Sequence, residues 1–353
     1  MKPATLRFSF LLLVTAVFAG PLLSQTTGPN IVRVASGAGS LVITGSGFGD
    51  KAEAQPLKWD NFETGVVGQR LANGWYTTSN GIHPAYASDQ VRPGTARTVK
   101  QVFTSKQYNA TVGLTNLGRS RLYVSFWKYA AVGGTGPSRN YKIVAFRGGD
   151  PGDWGLPNGR HDIYPVNGSG HIYTADCDGS GTLLNNTWKD AYDLTNGRWQ
   201  RFEYYIDMGT PGVANGSYGW WLDGVRKTTM TGRLLRTAAC TYNNLYISSY
   251  FATDTNGAAA TFWLDDVYVD STQARVEVCE SSSWNSRGHC EVQIPTVWSS
   301  GSITVTANRG SFTPEQFSGA YVYVVDAKGN VSPAVRIAEG TPPSPPGGVT
   351  VTR

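Results

Sequence analysis

Two short alternating runs near the start of the chain, Asn30–Ala35 and Ser40–Phe48, cannot make a stable unit alone. A two-stranded hairpin leaves its apolar side in water. Five more such runs come near the other end: Ala274–Cys279, Cys290–Pro295, Ser302–Asn308, Ala320–Asp326 and Ala334–Ala338. Five strands make an incomplete sandwich with an open face. If the two sets bury each other, 29–55 plus 271–340 supply seven strands in about 97 residues, enough for one small two-sheet sandwich. The segment between them, 56–270, then folds as a separate unit inserted into the first, with both of its ends returning to one point.

That insert also reads as β structure. Long helical periodicity is missing, and short alternating runs are bounded by Gly, Asn, Asp and Pro. The 42 glycines supply the turns such a chain needs. In Gly197–Asp207, Phe202, Tyr204 and Ile206 alternate with Arg201, Glu203, Tyr205 and Asp207, so the apolar set faces a core and the polar set faces away from it. Asp223-Gly224 marks a tight hairpin.

Resemblances sharpen both readings. LVITGSGFGDKA (Leu41–Ala52), WSSGSITVTANRG (Trp298–Gly310) and YVYVVDAKGNVS (Tyr321–Ser332) resemble strands of the IPT/TIG family of immunoglobulin-like domains. Such domains serve as spacers or binding modules. GRWQRFEYYID (Gly197–Asp207), YGWWLDGVRK (Tyr218–Lys227) and FWLDDVYVD (Phe262–Asp270), with KWDNFETG (Lys58–Gly65) as opening strand, resemble the concanavalin A-like jelly rolls. These include laminin-G-like modules and β-sandwich polysaccharide lyases. The resemblance implies an all-β chain, a jelly-roll sandwich of 56–270 inserted into a discontinuous seven-stranded Ig-like sandwich. It speaks to fold more than to function.

The N-terminus reads as a signal peptide, residues 1–24. Lys2 and Arg7 precede the apolar run Phe8 to Phe18, and cleavage is expected after Ala19 or Ser24. The run is short for a membrane span, and no later segment reaches spanning length, so a secreted or cell-surface protein without membrane insertion is expected. Lys2 and Arg7 account for two of the formal +5 charges, leaving +3. With no dense basic run, nucleic acid is not an expected partner. Four cysteines formally allow three pairings. Cys279 and Cys290 lie a short loop apart between two strand-like runs, which favours that pair and leaves Cys177–Cys240 as a longer staple. Residues 341–353 begin with the Pro-rich TPPSPPGG and read as a linker or tail.

No complete catalytic set is legible. A retaining glycosidase needs two carboxylates about 5–5.5 Å apart. Glu203 and Asp207 are four residues apart on one strand, about 13 Å at 3.3 Å per residue, and the E-x-D-x-x-E run of laminarinase-like members is missing. A lyase needs a base near the sugar C5 and a group that neutralises the uronate carboxylate. The densest cluster is Arg160-His161-Asp162-Ile163-Tyr164 with His171-Ile172-Tyr173, making His161 or Tyr164 the candidate base and Arg160 the neutraliser; Glu203 is a further catalytic candidate. The alginate-lyase strand signatures R-x-E-L-R and K-A-G-x-Y-x-Q are missing. Rings in Gly/Asn/Pro-rich stretches, Trp75, Tyr76, Trp154, Tyr164, Tyr173 and Trp188, are candidates for stacking on sugars, with Arg201, Glu203 and Tyr205 as polar contacts. Asp176, Asp178 and Ser180 in DCDGSG match the first half of a calcium loop, but Thr187 stands where the closing acid belongs. No cofactor is required by this reading; Ca2+ is the one candidate.

The expectation is therefore a secreted carbohydrate-binding or surface-attachment protein with a polysaccharide or glycan partner. The alternatives are a lyase acting on a uronate-containing glycan and a structural adhesin or matrix component. Oligomeric state is left open.

Overall fold

The computed structural model describes residues 28–77, 82–103, 110–132, 139–151, 158–166, 169–189, 196–253 and 259–337. The expected signal peptide and tail, and Trp154, lie outside them.

The fold is all-β, and its strands fall into four antiparallel sheets. A seven-stranded sheet runs, edge to edge, Leu183–Lys189, Ser169–Ala175, Arg160–Val166, Arg139–Arg147, Asn244–Thr253, Val112–Leu114 and Tyr76–Thr77. An eight-stranded sheet runs Val225–Arg233, Gly216–Leu222, Trp199–Asp207, Arg121–Val132, Ala260–Asp270, Thr98–Phe103 and Ala85–Ala87, with Lys58–Asp60 also paired to Ala260–Asp270. The opening and closing strands of this segment are therefore neighbours. Phe126, Phe202, Tyr204 and Trp220 from the larger sheet meet Val144, Phe146, Ile163 and Ile172 from the smaller one in a single core. The hairpin turn sits at Asp223-Gly224, both at positive φ (50° and 74°).

Strands from the two ends of the chain form the other two sheets. Ser40–Ser46 pairs with Ser302–Thr306, Ile43 opposite Ile303 and Leu41 opposite Val305, in a sheet that also holds Asn30–Gly37 and Ile294–Trp298. Facing it are Cys290–Val292, Arg275–Cys279, Tyr321–Val325 and Val335–Arg336. Ile31, Val34, Leu41 and Ile43 share one core with Val276, Val278, Ile303, Val305, Val322 and Val324. Each half thus covers apolar surface the other would leave in water, on the order of 1.5–3 kcal/mol per buried aliphatic side chain.

Two details differ from the sequence reading. The expected strand Cys290–Pro295 is two strands in different sheets, so the flanks carry eight strands rather than seven. The chain crosses over at Gln293, whose backbone N–H donates to the Val276 carbonyl while its side chain bonds to the backbone of Glu291 and Asn308. This satisfies the polar groups that a mid-strand switch exposes. A short helix, Pro314–Gly319, was also not anticipated; Thr313 and Gln316 close a capping box at its start. The disulfides are Cys177–Cys240 and Cys279–Cys290. Among the described residues no helix is long and apolar enough to cross a membrane.

Candidate functional site: the outer face of the seven-stranded sheet

Strand Arg160–Val166 lies between Arg139–Arg147 and Ser169–Ala175. Ile163 sits opposite Val144 and Ile172, and all three turn into the core. Residues directly opposite share a face. Asp162, opposite Ala145 and Tyr173, is therefore on the outer side, as are Arg160 and its neighbour Arg147.

There Asp162 gathers three cations. Its carboxylate accepts from Arg147, and from Arg160 Nε at 2.7 Å and Nη2 at 2.5 Å, and Lys142 Nζ stands 3.9 Å away. Burial disfavours the charged carboxylate, but Arg147, Arg160 and Lys142 outweigh it and hold the group well below its ordinary range. Burial also brings the Lys142 amine down to about 8, against the pull of Asp162. The His171 ring, whose Nε2 lies 2.5 Å from Asn186 Oδ1, is shifted down by burial and stays neutral at pH 7. Counting Lys142 as charged, this cluster carries three positive charges against one negative.

Rings flank the cluster. The Arg160 guanidinium lies 5.1 Å from the half-buried Tyr173 ring. Tyr76 and Tyr246 rings are 5.6 Å apart on the far side, where Gly113 makes room: a Cβ there would stand 2.6 Å from the Tyr246 ring. Among the described residues of this face Arg160, Tyr173, Tyr76 and Asn186 reach solvent.

Several expected site residues are elsewhere. His161 alternates to the opposite side from Asp162 and is sealed in the core, its Nδ1 2.7 Å from Thr174 Oγ1 and its ring 5.1 Å from Tyr218. Burial pushes its pKa down to about 3, and no substrate reaches it, so it is not a base. Trp75 is core as well; it packs on Phe62 and donates Nε1–H to Asp60 at 2.8 Å. Tyr164 and Trp188 each stand opposite His171 in register, but their side chains lie outside the described residues, as does Trp154.

Arg201 and Glu203 do face away from the jelly-roll core, but not toward solvent. The sheet that contains Arg275–Cys279 covers them, leaving Glu203 fully buried. Three arginines, Arg201, Arg275 and Arg287, surround Glu203 and Glu277 at 2.6–3.6 Å, and Tyr123 donates its hydroxyl to Glu203 at 2.8 Å. This is a seam between the two sandwiches. Neither residue can contact a glycan, and Glu203 is no catalyst. Tyr205, half-buried, sits at the edge of that seam.

The two acids of the expected calcium loop have different partners. Asp176 is buried and accepts from the Thr237 N–H at 2.9 Å and from its hydroxyl, whereas exposed Asp178 closes a turn on Ser180. The one metal-sized group of His, Cys, Asp or Glu among the described residues is Glu277, Cys279 and Cys290. Its sulfurs are joined in a disulfide and offer no thiolate.

Lys142, Arg147 and Tyr246 escaped the sequence reading. RNYKIVAFR, Arg139–Arg147, carries no motif, and only its pairing beside Arg160–Val166 gives its cations a shared target.

No family model matches this sequence, and no curated protein matches it. Among solved structures, the chain is similar to an endo-β-1,4-glucuronan lyase from the fungus Trichoderma reesei (16% identity, TM-score 0.47, covering 62% of this chain and 96% of that one). It is also similar to an alginate lyase from a Chlorella virus (11%, 0.37, 68% and 99%). A third is a PL-14 alginate lyase from Aplysia kurodai (12%, 0.38, 53% and 86%). Likenesses this distant carry no argument about activity.

Proposed function

We propose that this protein is exported and acts on an acidic, uronate-bearing polysaccharide held across the outer face of the seven-stranded sheet. The observation that carries the reading is the gathering of Lys142, Arg147 and Arg160 around a single carboxylate, Asp162, beside half-exposed rings. Such a face attracts a polyanion and offers pyranose rings a surface to stack on.

The chemistry available there is β-elimination. A base removes the C5 proton of a uronate, the C4–O bond breaks, and a C4=C5 double bond forms while the leaving oxygen takes up a proton. The cations neutralise the uronate carboxylate, making the C5 proton more acidic. His171, neutral at pH 7, is the proposed base. Lys142, half-deprotonated near pH 8, is the group that returns a proton to the leaving oxygen. The flank sandwich, proposed as an Ig-like unit, would act as a rigid support.

The test is incubation with a panel of uronate polysaccharides, read by ultraviolet absorbance of the unsaturated product. Turnover is expected to fall above about pH 8 as Lys142 loses its proton, and His171→Ala should lower kcat about 10²–10⁴-fold. Binding without any unsaturated product or new chain ends would leave the second reading, a non-catalytic glycan-binding protein. The pairing of both Arg147 and Arg160 with Asp162 favours that reading. Neither binding nor product would sink both.

A further inference from the structure

A cleft of about 620 Å³ opens at the edge of the seam, between the Gly216–Leu222/Val225–Arg233 hairpin and the flank sandwich. Its volume is in the range of small-ligand sites. Tyr205, Trp221 and Trp284 contribute rings to its walls. Arg226, Lys328, Arg275 and Arg287 contribute charge, and among the described residues no Asp or Glu lines it.

The charge is unbalanced at depth as well as at the rim. Behind the cleft, the carboxylates that Arg201, Arg275 and Arg287 meet among the described residues are Glu203 and Glu277, so this buried cluster retains one positive charge. Two of these arginines also form the cleft wall. Arg287 Nε is buried without a hydrogen-bond acceptor, 3.6 Å from Glu277 Oε2, and its guanidinium lies 3.7 Å from the Trp284 ring. A buried excess charge costs free energy unless an anion meets it. Exposed Arg226 and Lys328 add two cations at the mouth.

We infer that this cleft is a second binding site, taking a carboxylate-bearing sugar whose acid group meets Arg275 and Arg287 while its ring lies against Trp221 or Trp284. It involves none of the residues of the seven-stranded face and stands or falls independently of the reading given for that face. A purely structural seam would gain nothing from an acid-free cleft with aromatic walls. A site for an acidic saccharide needs both features: cations select the carboxylate, and the rings take up the apolar face of the pyranose.

The test is titration of the full chain with a β-1,4-linked glucuronate trimer, followed by tryptophan fluorescence at low salt, with cellotriose as the neutral control. The trimer is expected to bind about tenfold tighter than cellotriose, the preference shrinking with added salt. The double variant Arg226→Glu/Lys328→Glu, at exposed positions that tolerate change, should abolish that preference, while Arg160→Ala on the other face should leave it intact. Equal affinity for both sugars would overturn the inference, as would a preference that survives the double variant. Loss of binding in Arg160→Ala alone would also overturn it while supporting the other face. The same fluorescence change with inorganic sulfate alone would mark an adventitious ion only and refute the sugar site.

Discussion

The two outer faces of the large sandwich carry similar chemistry with different fates. On the eight-stranded sheet, Arg201, Glu203 and Tyr205 alternate outward and meet a second protein layer. On the seven-stranded sheet, Arg147, Arg160 and Asp162 alternate outward, and Arg160 still reaches solvent. The first set has become a seam in which five charged groups neutralise one another but for one. The second retains an excess of cations beside half-exposed rings. The comparison teaches that an alternating strand shows which residues share a face, but not what covers that face. A row of Arg, Glu and Tyr is equally suited to gripping a sugar and to joining two sandwiches.

The largest effect should come from breaking the seam. Glu277→Ala removes a fully buried carboxylate touched by Arg201, Arg275 and Arg287, and should cost about 3–5 kcal/mol in denaturant unfolding. A loss under about 1 kcal/mol would mean that these ion pairs do not hold the two sandwiches together. The companion change on the other face, Asp162→Ala, strands the buried Arg147 but leaves Arg160 able to turn to solvent. Its expected cost is smaller, about 2–3 kcal/mol. Equal costs would erase the distinction between a fully buried cluster and one whose Arg160 reaches solvent.

A smaller change lies between the faces. Lys128 is buried in the inter-sheet core against Phe262 and Ser248, with no carboxylate beside it among the described residues, and burial pushes its pKa well below the ordinary value. The folded chain therefore resists a proton that the unfolded chain accepts. Stability from this group rises with pH until the ordinary lysine value is passed. Lys128→Met should stabilise the protein by about 1–2 kcal/mol at pH 7, with the gain shrinking toward pH 10. A pH-independent difference between the two proteins would contradict the assignment. The acid limb slopes the same way, but from a group whose charge the fold favours rather than resists. Glu291, held down to about 2 by Arg92 and His289 against its burial, contributes stability that is complete above about pH 4.5 and lost as the pH falls toward 2. Glu291→Gln should flatten that limb in a pH-jump unfolding series.

Much of the fold was legible. The inward set Phe202, Tyr204 and Ile206, the Asp223-Gly224 turn and the Cys279–Cys290 pair each follow from local rules: period two, positive φ and short loop closure. The site was less so. Alternation within one strand separates His161 from Asp162, but whether the odd or the even set faces the core depends on the neighbouring strands. A loop tryptophan such as Trp75 gives no local sign that Asp60 and Phe62 enclose it.

From the sequence alone came an all-β chain, its turns, its cysteine staples, and the need for Ser40–Ser46 to find a distant partner, because each of these is set by nearby residues or by apolar surface that cannot stay in water. The tertiary structure alone decided which polar face was covered, which histidine was sealed, and where positive charge went unanswered. Those outcomes depend on groups brought together from distant positions, as Arg92 and Glu291 are, 199 residues apart, and no local pattern encodes such a pairing.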